Sequence, residues 1–112
     1  MNYSGVARLL SSAASTNGAL VSAVARRAHR AIGANVGGST VYLKIYNKAT
    51  APTVGTDTPM MTIALPAYTA FAIPLDAGVD LGLGYALTGA SADNDTTAIA
   101  AGAIVGLNIV YA

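Results

Sequence analysis

From residue 40 onward, apolar and polar positions alternate with a period of two. In the segment Val41 to Asn47, Val41, Leu43 and Ile45 share one face, and Tyr42, Lys44 and Tyr46 share the other. That spacing is the signature of a half-buried strand. Met61, Ile63 and Leu65 alternate with Met60, Thr62 and Ala64, and Phe71, Ile73 and Leu75 with Ala70, Ala72 and Pro74. Leu83, Tyr85 and Leu87 alternate with small or polar neighbours, as do Val105, Leu107, Ile109 and Tyr111. The pattern predicts five strands in the last 72 residues.

The breaks between these runs carry turn residues. Ala51 to Pro59 reads as a loop, with prolines near both ends and Gly55 inside it. Pro66-Ala67 reads as a tight break, Asp76 to Asp80 as a turn, and Gly89 to Gly102 as a long loop of small and polar residues. Pro74 lacks a ladder donor, so within a strand it suits an edge or a bulge.

The first 40 residues admit two readings. As a helix over 19–32, Leu20, Val21, Val24, Ala28 and Ile32 fall near one face, and alanine favours helix. As strands, the polar cluster at 15–18 separates residues 6–13 from 19–25, and a third strand runs from Arg27 to Asn35, closed by Gly37-Gly38. Residues 1–18 are expected to be an N-terminal arm or a first strand, ordered by a neighbour's contact, and 19–112 a single domain. Glutamate is absent throughout, which favours strands, because strong helices rarely lack it.

Composition narrows the function classes. Charged residues are 10% of the chain, well below the roughly 25% usual for soluble domains. So little charge suggests that much of the surface is covered by a partner, a symmetry mate or a membrane. There is no cysteine, hence no disulfide, thiolate nucleophile or zinc–thiolate site. The net charge of +1 is divided unevenly. Residues 1–40 hold Arg8, Arg26, Arg27 and Arg30 and no acid, whereas 41–112 hold two lysines against five aspartates.

The uncharged runs 9–25 and 96–112 are 17 residues each, the lower limit for a membrane span. Both are broken by Ser, Thr, Asn or Gly, so no membrane span is expected. Ala23-Val24-Ala25 imitates a signal cleavage site, but the apolar stretch before it is interrupted; an unprocessed, soluble chain is expected.

Residues 42–59, from Tyr42 through Lys44, Tyr46 and Gly55 to Pro59, resemble a segment recurring in small virion-associated proteins of tailed bacteriophages. Gly84 to Thr88 with Ala92 to Thr96 is similar to a second recurring block, and Val105 to Asn108 to a third. The Arg- and Ala-rich stretch 24–34 departs from the resemblance. The resemblance implies a virion structural protein built as an all-β domain, with the N-terminal third entering as strands.

Candidate chemistry is sparse. His29 is the only histidine and sits among Arg26, Arg27 and Arg30. No serine has a nucleophile-elbow context, so catalysis is not expected. Asp93, Asn94, Asp95, Thr96 and Thr97 offer oxygen ligands for a cation, but Asx residues also cap turns, and no metal or cofactor is expected. Arg26, Arg27 and Arg30 suit a protein contact better than nucleic acid or a merely solvated edge. Tyr42, Lys44 and Tyr46 form a stripe suited to an interface.

The expected architecture is an all-β, small antiparallel β-sandwich of seven or eight strands, jelly-roll-like. The expected role is a phage capsid decoration or cement protein on the capsid surface, binding major capsid protein and forming a homo-oligomer, a trimer. Its interface would use Arg8, Arg26, Arg27, Arg30, Tyr42, Lys44 and Tyr46. A head-fibre, tail or adaptor component is the alternative within the virion. A receptor- or glycan-binding module is the alternative of another class, and it should present a concave aromatic pocket.

Overall fold

Alternating apolar side chains stay out of water only if several such strands share one core, and they do so here. The computed structural model describes residues 5–112, which form eight strands and no helix. They are β1 (Gly5–Ser11), β2 (Ala19–Ser22), β3 (Arg26–Asn35), β4 (Val41–Asn47), β5 (Met61–Leu65), β6 (Thr69–Val79), β7 (Leu83–Thr88) and β8 (Ile104–Tyr111). Two antiparallel four-stranded sheets pack as a sandwich: sheet A in the order β1-β8-β3-β6 and sheet B in the order β2-β7-β4-β5. Strands pair from the chain ends inward: β1 with β8, β2 with β7, β3 with β6, β4 with β5. Only the β4–β5 connection stays within one sheet, and every other connection crosses to the opposite one.

The core lies between the sheets. Ala28, Ala31, Phe71, Leu75, Leu107 and Ile109 of sheet A face Val41, Leu43, Ile45, Leu65, Leu83 and Leu87 of sheet B. Asn35, also buried, donates from Nδ2 to the carbonyls of Ser39 and Leu65 and accepts from the Gly37 N–H, which ties β3 to β5.

The five expected C-terminal strands are present as β4 to β8. The helical reading of 19–32 is not: these residues form β2, a bend and most of β3. β3 is paired on both sides, with β8 and with β6, so most of its backbone is engaged in long-range ladders. That outweighs alanine's local helical preference. Residues 5–11 are a strand with Ala7 and Leu9 packed on the core, not a separate arm; residues 1–4 of the expected arm lie outside the described residues.

The expected turn at Asp76 to Asp80 is also corrected. β6 continues to Val79, and Ala77 and Val79 are buried. The register of β3 against β6 slips between Ala28 and Arg30, opposite Pro74, and Asp76 has φ 47°. The extra residue of the bulge absorbs the irregularity that the sequence presents as a turn. Pro74 therefore lies on an edge strand and beside a bulge, both sites that need no ladder donor. Gly106, at φ 59°, marks another slip, between β3 and β8, in a conformation that glycine adopts at little cost.

Candidate interaction face

The two outer sheet faces differ. On sheet B, the loops at 48–60 and 89–103 fold over the strands. Pro52 packs on Gly84 of β7, leaving a Cβ there only 3.1 Å from the proline ring. Gly55 of the first loop lies against Thr96 of the second. Lys44 is wholly buried, and its Nζ donates to the carbonyl of Ala92. Lys48 pairs with Asp57 at 2.5 Å, and Asp57 also accepts the Thr53 N–H, closing the first loop on itself.

This cover corrects the expectation for the tyrosine stripe. Lys44 and Tyr46 are 0% and 1% exposed and Tyr42 is half-buried, so the stripe is roofed by the chain's own loops. Tyr46 Oη has no hydrogen-bond partner among the described residues. Burial, then the charges of Asp57 and Asp93, push its phenol above the ordinary tyrosine value. An alternating strand looks the same in sequence whether solvent or a loop covers its second face.

Sheet A has no such roof among the described residues. Two rows of register partners cross its outer face: Val6, Val110, Arg30 and Pro74, then Arg8, Asn108, Ile32 and Ala72. Val6 and Leu10 are 57% and 67% exposed. At one end the face continues to Val36 and Tyr68, both exposed. It is a broad, mainly apolar sheet surface with Arg8 and Arg30 set in it. Contiguous exposed apolar area of this kind marks interaction sites.

The four arginines do not form one cluster. Arg8 and Arg30 lie on the face, exposed, with no ion pair among the described residues. Arg27 lies at its margin, 2.5 Å from Asp76. Arg26 donates from Nε to Ser22 Oγ at 2.9 Å, and its guanidinium lies 5.6 Å from the Tyr111 ring centroid. The acids Asp57, Asp93 and Asp95 sit in the loops over sheet B. Charge is therefore polarised across the sandwich, basic on the bare face and acidic on the roofed one.

His29 is half-buried and lines a shallow hollow with Arg30, Ile73 and Pro74 at the β3 bulge. Asp95 accepts the N–H groups of Ala90 and Thr97 and the Thr97 hydroxyl. The Thr97 hydroxyl leads in holding its carboxyl below the ordinary aspartate range. Asp95 thus acts as a loop cap, the ordinary use of an Asx residue. No group of three metal-ligating side chains occurs among the described residues. A cleft of about 270 Å³ between residues 37–41 and 97–103 is lined by Gly37, Thr40, Gly89, Thr97 and Ile99 among others, without an aromatic or charged side chain. Among the described residues no helix is long and apolar enough to cross a membrane.

No family model, curated protein or solved structure matches this chain. Sequence reasoning singled out Arg8 and Arg30 but missed Val6, Leu10, Ile32 and Val110 around them. Part of the signal was present in β1, where Val6 and Leu10 are apolar on the face opposite the core-packed Ala7 and Leu9.

Proposed function

We propose that this chain is a structural protein of a phage virion, a decoration or cement protein that sits on the capsid surface and bridges subunits of the major capsid protein. The observation that carries this reading is the asymmetry of the sandwich. One sheet face is covered over β4 and β7 by the chain's own loops, and the other is, among the described residues, uncovered, mainly apolar and set with Arg8 and Arg30. An apolar sheet face fits an apolar partner surface, and arginines without an ion pair among the described residues fit acids on it. Charge pairs orient such a contact, and the apolar area supplies most of its affinity.

The resemblance of residues 42–59 to virion-associated proteins supports the same reading. So does the end-to-middle pairing of strands, which we take as a jelly-roll winding. Assembly as a homotrimer suits threefold positions on an icosahedral shell and is checked by light scattering.

The test compares virions carrying the chain, lacking it, or carrying the Arg8→Glu/Arg30→Glu variant. Loss of the chain should lower the temperature at which the genome is released, and the charge-reversed variant should show reduced occupancy. Equal release temperatures with full occupancy by the variant would contradict the proposal.

A further inference from the structure

The four sheet edges are not equally protected. β6 carries Pro74 and the left-handed Asp76. β2 has only four residues and slips register between Leu20 and Ser22. β5 has five residues and is bracketed by Pro59 and Pro66. Short strands, prolines and bulges are the devices that keep an edge from pairing with another chain. β1 has none of them. Its register against β8 keeps one pairing from Gly5 to Ser11, without proline and without slip. It stands at the end of sheet A, with nothing paired on its other side among the described residues.

We propose that the open edge of β1 accepts an extended segment of the partner protein as a fifth strand of sheet A, and that this segment carries an acidic residue flanked by apolar ones at every second position. This deepens the proposed function and rests on its protein partner. Main-chain hydrogen bonds give such strand addition its affinity, and alternate side chains give it selectivity. A strand laid beside β1 places its outward side chains next to Val6, Arg8 and Leu10. Apolar, acidic, apolar is the complement of that row.

A second copy of β1 fits less well. The antiparallel register with greatest overlap sets Arg8 directly against Arg8, a destabilising pair. Nor do the other strands of this chain supply the acid. The aspartates lie outside the strands except Asp76 of β6, which is held by Arg27 of β3.

The test follows amide exchange in the isolated chain with two synthetic peptides, Thr-Val-Thr-Asp-Thr-Val-Thr-Val, in which Asp and the valines share one face, and its lysine counterpart with Lys in place of Asp. The acidic peptide should slow exchange of the outward amides of Gly5–Ser11 at least tenfold, and the lysine peptide should not. Ala7→Pro and Arg8→Pro provide the control. One of these adjacent positions directs its N–H away from β8, and the variant there keeps the fold and loses the protection. No protection by the acidic peptide, equal protection by both, or protection already present and concentration-dependent in the free chain would overturn the proposal, the last by assigning the edge to a second copy. Peptide protection in a chain that fails to bind virions would retain the strand site and sink the capsid assignment instead.

Discussion

The ammonium of Lys44, buried in the second strand-face of sheet B, donates to the carbonyl of Ala92 in the loop above it. That bond joins strand and roof across 48 residues of sequence. It makes Lys44 a structural residue, and it is part of the reason that sheet B presents loops rather than strands to its surroundings. Lys44→Ala removes a charge-assisted bond and opens a cavity, and should lower stability by about 2–4 kcal/mol in denaturant unfolding.

The neighbouring Tyr46 gives the opposite expectation. Its hydroxyl is buried without a partner among the described residues. Tyr46→Phe keeps the ring and removes the unsatisfied group, so unfolding should show a gain of about 1 kcal/mol. A loss of that size would mean that the hydroxyl is bonded in solution.

Gly33 and Phe71 are register partners, and the ring lies over the glycine. A Cβ on Gly33 would stand 2.8 Å from Phe71 Cζ and 3.2 Å from the backbone at Gly106 and Leu107. Gly33→Val should therefore overpack this corner of the core and cost about 1–3 kcal/mol, read as a lowered melting temperature.

Stability should fall at both ends of the pH scale. The hydrogen bond from Lys48, then the Thr53 N–H, hold the Asp57 carboxyl below its ordinary value; the Thr97 hydroxyl leads in doing the same for Asp95. Their contribution is complete above the ordinary aspartate value of about 4 and is lost as pH falls through the lower folded values. Burial raises the phenols of Tyr46 and Tyr85, whose contribution is complete below about pH 10 and is lost above it. Melting temperatures from pH 2 to 11 should show both limbs, and Asp57→Asn should flatten the acid one.

The strands from β4 onward were legible because each has one face in the core and small or polar residues on the other. Two features were not. The Ala- and Arg-rich stretch became β3 only through its ladders to β6 and β8, contacts with residues about 40 and 80 positions away that no local period encodes. The covering of Tyr42, Lys44 and Tyr46 depends on loops whose own residues, such as Pro52 and Ala92, carry no sign of what they cover. Of the expected contact residues, Arg8 and Arg30 share a bare face, Arg26 and Arg27 have partners within the chain, and the stripe lies under a roof.

The central claim is that the bare face of sheet A is the contact surface and the roofed sheet B faces outward. A reconstruction of the intact virion with this chain placed in it tests that most directly. The account predicts Arg8, Ile32 and Arg30 against the capsid shell, acids of the shell within reach of both arginines, and the loops at 48–60 and 89–103 turned to solvent. Finding sheet A exposed with those loops against the shell, or the chain in the tail, would contradict it.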